Sequence, residues 1–233
     1  MKPLEIREEF IFGCGPDIIC FNDCCQDLNQ FLTPYDILCM KKSLGMTSRQ
    51  FLEQYISFTI GPKTGLPIAS LSTDNSLVCP FVTKQGCRIY EHRPASCRSY
   101  PLARMAGRDA DTKEMTEKYF LIKELHCRGH GRGRAWTADK WVKNQGLLPY
   151  NQANDLFMDV IIEKSRKGSA RLSQKDSNAF ILACYDSDGF REAIDKRDET
   201  LLGRNIPEME KGLDDKGLMA LAFKWILQRL SAL

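Results

Sequence analysis

Nowhere in these 233 residues do about eighteen apolar residues run without interruption, the minimum for a membrane-spanning helix. The opening Met-Lys-Pro-Leu-Glu-Ile-Arg-Glu-Glu is too charged for the apolar stretch of a secretory signal, so the chain reads as a soluble cytoplasmic protein with no membrane partner. Internal repeats, low-complexity tracts and Gly/Ser/Pro linkers are missing as well. So is a G-x-G-x-x-G phosphate or cofactor loop, and no Ser-His-Asp or paired-carboxylate constellation has a recognisable spacing. What the chain has instead is cysteine. Ten are present, and eight fall in two dense sets: Cys14, Cys20, Cys24 and Cys25, then Cys79, Cys87, Cys97 and Cys127. Thiolates gathered in fours are what a soft metal ion or an iron–sulfur cluster requires.

Disulfides are the rival use of paired cysteines, but they belong to oxidising compartments and to small secreted domains short of core, and this chain matches neither. Adjacent Cys24 and Cys25 also aim poorly at two separate bridges. Cys39 lies in a capped helix and Cys184 ends the apolar run Phe180-Ile-Leu-Ala-Cys184, so both read as core residues, since an unligated thiol behaves as a small hydrophobe. His92, His126 and His130 stand close to cysteines in sequence, yet eight thiols already suffice, and surface or supporting roles are expected for them.

The formal charge of +3 is unevenly spread. Residues 84–134 carry 12 basic and 6 acidic side chains, residues 1–83 carry 6 and 9, and the remainder carries 15 of each. Four thiolates on a divalent ion leave about two net negative charges, which Arg88, Arg93 and Arg98 are placed to offset. Nucleic acid is disfavoured as a partner, because the basic segment lacks the interleaved aromatics of a single-strand platform. Gly129, Gly131 and Gly133 are read as permitting a tight turn around Cys127 in preference to an anion-binding nest.

Local patterns predict the frame. Thr33, Pro34 and Asp36 start a helix that Gly45 stops, and Thr47 with Gln50 starts another reaching about residue 59. Short strands are expected at Pro67–Leu71, Leu77–Val82, Cys87–Tyr90 and Glu117–Leu125, with a loop over Ala106–Lys113. Thr137 opens a short helix, and apolar spacing predicts helices at 150–166, 173–185, 188–196 and 214–231. The fold class is α+β: a small cysteine-rich core over residues 1–135 with short strands and two helices, then an all-α region over 136–233 packed on it.

The segments Phe12-Gly-Cys14, Cys20-Phe-Asn-Asp-Cys24-Cys25 and Phe31-Leu-Thr-Pro-Tyr-Asp36, with Cys79-Pro-Phe, Cys87-Arg-Ile-Tyr-Glu-His-Arg-Pro94 and Cys97-Arg-Ser-Tyr-Pro101, resemble the YkgJ-type cysteine-cluster family, and Cys127-Arg-Gly-His-Gly-Arg-Gly133 is similar to its last cysteine and glycine-rich turn. That resemblance spans roughly residues 10–135 and implies a domain chelating zinc or iron. The family's short form spaces its first set Cys-x2-Cys-x2-Cys-Cys; here the gaps are five and three residues. A related domain occurs in flagellin lysine methylases, which leaves a protein-modifying enzyme as one alternative and a structural zinc-binding interaction module as another. The leading expectation is a metal-binding protein that holds an iron–sulfur cluster or zinc through all eight cysteines and serves an unidentified protein or redox partner. The lack of any Cys-x2-Cys pair inclines the choice to iron–sulfur.

Overall fold

The computed structural model describes residues 1–26, 29–109, 111–112 and 114–232. In chain order its elements are β1 (Lys2–Leu4), β2 (Phe10–Phe12), a 3-10 turn at Asp23–Cys25, β3 (Phe31–Leu32), α1 (Pro34–Ser43), α2 (Ser48–Tyr55), β4 (Ile56–Ile60) and β5 (Pro67–Leu71). Next come β6 (Val82–Thr83), β7 (Gly86–Cys87), a second 3-10 turn at Tyr90–His92, α3 (Ala95–Ser99), β8 (Leu102–Arg108), β9 (Met115–Leu121) and β10 (Arg134–Trp136). Helices α4 (Ala138–Asn144), α5 (Leu148–Arg166), α6 (Gln174–Tyr185), α7 (Ser187–Asp195), α8 (Glu199–Leu202) and α9 (Asp215–Ser231) complete the chain. The class is α+β, with small antiparallel sheets and a helical C-terminal region. Among the described residues no helix is long and apolar enough to cross a membrane.

Both capping boxes form as the sequence predicts, Thr33 with Asp36 at α1 and Thr47 with Gln50 at α2, and each satisfies backbone donors that the first helical turn leaves unpaired. Several expectations change. The strand expected over Cys87–Tyr90 is confined to Gly86–Cys87, because Tyr90–His92 winds into a 3-10 turn. Helix α2 stops at Tyr55 rather than near residue 59, because Ile56-Ser-Phe-Thr-Ile60 pairs along its whole length with β5, and a β-branched, aromatic run is better satisfied in a ladder. The strand expected over Leu77–Val82 shrinks to Val82–Thr83: Leu77 adopts a positive φ of 53°, and the Cys79 N–H bonds to the Cys25 carbonyl at 2.8 Å instead of joining a sheet. The loop expected over Ala106–Lys113 begins only after Arg108, since β8 continues its ladder with β9 through Gly107↔Thr116 and Arg108↔Met115. Ala110 and Lys113 lie outside the described residues.

The chain forms two compact units, one built from residues 1–29 and 73–155, the other from 30–72 and 156–233. Segment 30–72 thus folds with the C-terminal helices and not with the cysteine sets that flank it in sequence. In that second unit α6 packs on α1, α7, α9 and β5, while α2 packs on α7. A buried polar knot fixes the α2–α7 contact. The Ser48 hydroxyl, fully buried, donates to Asp186 Oδ1 at 2.5 Å, the Ser48 N–H donates to Asp188 at 2.6 Å, and Lys41 Nζ reaches both Asp188 oxygens at 2.8 Å. Every strong donor there meets an acceptor, as burial demands.

In the first unit β9 lies between β1 and β8, and a separate ladder joins β2 to β10 with Phe12 opposite Arg134 and Phe10 opposite Trp136. Phe12 is the hinge pin of the core. Its ring meets Tyr100, His130 and Trp141 edge-on at centroid distances of 5.8, 5.3 and 5.7 Å, and its carbonyl accepts the Trp136 indole N–H at 3.1 Å. Beyond β2 the two backbones touch. The Gly13 N–H donates to Gly129 O at 3.1 Å and the Gly131 N–H to Ile11 O at 3.0 Å, while a Cβ on Gly129 would stand 2.4 Å from Gly13 O. Gly133, at φ +79°, would bring its own Cβ within 2.9 Å of Phe12 O.

Gly129→Ala is therefore expected to lower stability by about 1–3 kcal/mol, the usual cost of forcing atoms into a closed contact, while Gly107→Ala, whose added Cβ meets nothing within 4 Å, leaves it nearly unchanged. Urea unfolding of both variants checks this; equal midpoints for Gly129→Ala and the parent would contradict the close approach.

Candidate metal centre

All eight cysteines of the two dense sets lie in the first unit, whereas Cys39 on α1 and Cys184 on α6 belong to the second. Short backbone ties draw the distant segments together. Cys25 sits at the end of the first 3-10 turn, where Asn22 enters with a positive φ of 74°, and its carbonyl takes the Cys79 N–H. The Asn22 side chain donates to Thr83 O at 2.9 Å, and Phe21 lies under Gly86, 3.0 Å from where a Cβ would be, so the β6–β7 hairpin bearing Cys87 rests on the first cysteine loop. At the other end of that loop the Arg128 N–H donates to the Cys20 sulfur at 3.1 Å. Cys127 itself leans on the apolar core beside Tyr100. No disulfide joins the described cysteines; Cys14, Cys24 and Cys97 are exposed and the other five of the eight are half-buried.

The thiols act on one another. Burial, then the nearby Cys24, Cys20 and Cys127, pushes Cys14 up to about 11. Cys24 goes the other way, down to about 7, because the Cys25 thiol donates a hydrogen bond to its sulfur and so favours the thiolate. The same bond holds Cys25 protonated, reinforced by burial and by Cys24, Cys79 and Cys97. Cys79 and Cys87 are both raised, chiefly by desolvation. Arg93 pulls Cys14 and Cys87 downward and Arg88 pulls Cys87 downward, so the expected charge compensation is present in sign, but desolvation outweighs it at both sulfurs.

The arginines do more as anchors. Arg98, buried, donates to Arg93 O at 3.2 Å, to Gln145 O at 2.6 Å and to Glu91 O, and its guanidinium lies 4.9 Å from the Tyr150 ring centre. Arg93, equally buried, stacks 3.7 Å over Tyr90 and bonds Tyr90 O and the Gln145 side chain, each at 2.5 Å. Together they clamp the turn that presents Cys97 onto the C-terminal end of α4. The sequence pointed to these arginines through Arg93-Pro94 and Cys97-Arg98; nothing in it pointed to Gln145.

Of the histidines, His126 is exposed beside Glu124, with 3.5 Å between Nε2 and Oε2, and His92 is exposed at the end of its 3-10 turn. His130 bridges Phe12 in the backbone, and its buried Nε2 has no hydrogen-bond partner. Tyr100 shares that condition: its buried hydroxyl faces the Cys127 sulfur without a well-formed hydrogen bond, and burial and Cys127 together raise its pKa. Gly129 to Gly133 form the tight turn expected of them, with the N–H groups of Gly131 and Arg132 turned to Ile11 O and Gly129 O.

Whether these residues fit a soft metal can be judged from the donors. All are sulfur, they come from five separate segments, and each mutual interaction between the ionised thiols is repulsive, which a bound cation would reverse. The buried Tyr100 hydroxyl lies beside Cys127 and would donate a hydrogen bond to that sulfur as a thiolate ligand. Among the described residues no group of three or more His, Cys, Asp or Glu side chains is placed to hold a metal ion; the thiols neighbour one another at electrostatic range. The donor set fits zinc or iron in its chemistry. A family model described as "Putative zinc- or iron-chelating domain" matches residues 14–128. No curated protein and no solved structure matches the chain.

Arg98→Lys is expected to cost about 2 kcal/mol, because an ammonium cannot reach three diverging carbonyls and buried acceptors left unpaired are penalised; chemical denaturation should show this, with exposed Lys84→Ala unchanged. In reduced, metal-free protein near neutral pH, iodoacetamide should label Cys24 before Cys14, since both are exposed and only Cys24 has a substantial thiolate fraction there. Raising the pH toward about 11 should close the gap. Peptide mapping that finds Cys14 labelled first near neutrality would contradict the Cys25-to-Cys24 hydrogen bond.

Proposed function

We propose that the chain, whose residues 14–128 match the CxxCxxCC family model, belongs to that family and is a metal-binding protein whose eight cysteines, Cys14, Cys20, Cys24, Cys25, Cys79, Cys87, Cys97 and Cys127, hold iron–sulfur in preference to zinc. The observation that carries this reading is the interlocking of the two sets: Cys25 with Cys79 through the backbone, and Cys20 with the residue after Cys127 through sulfur. Spacing supports the choice of metal. The chain has no Cys-x2-Cys knuckle of a structural zinc site, and contiguous Cys24-Cys25 suits a polynuclear centre in which neighbouring thiolates bind different metal atoms.

When bound, an iron–sulfur centre supplies one-electron redox chemistry. The chain's own part is to place the sulfurs, to keep them partly out of water and to set their surroundings. The Arg128 N–H on Cys20 and the Tyr100 hydroxyl facing Cys127 are donors toward ligand sulfur, which stabilise the more negative state of a thiolate centre. Cys14, Cys24 and Cys97 are exposed, and a protein or redox partner would meet the site through them.

Anaerobic purification with iron and sulfide available is expected to give a coloured protein containing iron and acid-labile sulfide. Zinc competes for thiolates under aerobic expression, so the anaerobic sample is the decisive one. A colourless anaerobic product with about two zinc ions per chain and no labile sulfide would overturn the iron–sulfur reading in favour of a structural zinc module.

A further inference from the structure

The two most exposed large apolar side chains among the described residues both belong to the first unit: Ile19 is 92% exposed and Leu125 96% exposed. Each occupies the second position of a tight turn. The Phe21 N–H donates to Ile18 O at 2.8 Å around Ile19, and the Cys127 N–H donates to Glu124 O at 3.1 Å around Leu125. Turn tips ordinarily carry Gly, Pro, Asn, Asp or Ser, each with a conformational reason to be there. An Ile and a Leu in those places bury almost nothing against their own chain, so neither serves the fold.

The two turns adjoin. Cys20, next to Ile19, accepts the Arg128 N–H on its sulfur at 3.1 Å, and Arg128 follows directly on the Leu125 turn. The chain then runs through the glycine turn to Gly131, whose N–H donates to Ile11 O at 3.0 Å. Ile11 is 51% exposed, and Ala135, opposite it in the β2–β10 ladder, is exposed too. A lone apolar side chain at a surface needs no explanation, but three on segments bonded side by side form a patch with no use inside the unit.

Charge around the patch is one-sided. Between Leu125 and Asp139 the chain carries Arg128, Arg132 and Arg134 and no carboxylate. All three arginines are exposed, and none stands in an ion pair among the described residues. Arg134 rests on Trp136, 3.8 Å from the ring centre, which fixes its guanidinium before any partner arrives. Aliphatic tips set among unpaired arginines match the composition of protein-binding surfaces, and complementarity asks for carboxylates on the other side. An anionic bilayer fits less well. The tips include no Trp or Tyr for the headgroup level, and exposed Asp17, Asp23 and Glu124 beside them would be pressed against like charge.

Building on the partner contact proposed above, we propose that the Ile19 and Leu125 turns, with Ile11, Arg128, Arg132 and Arg134, form the docking face for an acidic protein partner. The apolar tips enter its surface, and the arginines meet its carboxylates. Exposed Cys14 lies on the segment between Ile11 and Ile19, so docking there brings the partner to the thiols whatever metal they hold.

The probe is a benzophenone amino acid placed at position 19 or 125 of the full chain in its native host, with position 105 as control, since Met105 is 60% exposed in the same unit but lies on β8. Illumination and peptide mass mapping should give an adduct at 19 and 125 with one protein, through a segment rich in Asp and Glu, at about ten times the yield from position 105. Arg132→Glu with Arg134→Glu should lower that yield about tenfold, the effect of reversing charges that steer association. Ile19→Asp with Leu125→Asp should abolish binding of the identified partner to the purified chain while leaving the urea midpoint unchanged. No adduct above the control, an adduct with a second copy of this chain, an adduct through a segment without acidic residues, or retention by phosphatidylglycerol vesicles with adducts to lipid alone would each overturn the docking face. Metal content measured on the same samples separates the two proposals. Full metal without an adduct overturns the docking face alone, whereas an adduct from a chain that takes up no metal upholds the face and overturns the metal-binding role.

Discussion

Phe12-Gly13 and Gly129–Gly133 lie backbone against backbone, and most of the first unit depends on that contact. A Cβ on Gly129 or Gly133 would stand within 3 Å of carbonyl oxygens of the opposite strand, so side chains there would push the two segments apart. Glycine at these points lets the Gly13 N–H and Gly131 N–H find their acceptors, and the β2–β10 ladder carries the same pairing on to Phe10 and Trp136. Phe12 then seats its ring among Tyr100, His130 and Trp141. One close approach thereby couples the start of the chain, the last cysteine and the aromatic core.

The same approach creates the electrostatic problem of the site. Sulfurs from separated segments are brought near one another in partly desolvated surroundings, and Cys14, Cys25, Cys79 and Cys87 all resist ionisation. Arginines nearby do not remove the penalty. Arg93 and Arg98 are committed to backbone carbonyls and to Gln145, so their geometry is that of anchors and their effect on the sulfurs is secondary. A cation among the thiols relieves both the mutual repulsion and the loss of water, which is why such a cluster couples metal binding to folding.

The second unit solves a different problem with ordinary means. Its apolar helices bury Phe180, Phe190 and Ile226 completely, and the Ser48, Asp186, Asp188 and Lys41 knot pairs the polar groups that come with them. Segment 30–72 is threaded between the two halves of the cysteine unit in sequence, yet folds with residues 156–233. Sequence order hid this because α1, α2 and β5 carry strong local signals that say nothing of which apolar surface they will meet.

Local chemistry was legible in the sequence wherever a few neighbouring residues settle the outcome. The capping boxes at Thr33 and Thr47, the β5 strand, the tight turn at Gly129–Gly133 and the amphipathic helices α5, α6, α7 and α9 all follow from short-range hydrogen bonding and periodicity. The two dense sets of cysteines were plain in the sequence, and all eight fall in the first unit. Long-range pairing was not legible. Ile56–Ile60 became a strand because β5 offered it a ladder, Leu77–Phe81 lost its strand because Cys79 turned to Cys25, and Gln145 joined the site because Arg93 and Arg98 reach it across about fifty residues of sequence. Periodicity records which face of an element is apolar, while only the folded chain decides which distant donor meets which acceptor, since that choice is made by packing and closure over many residues at once.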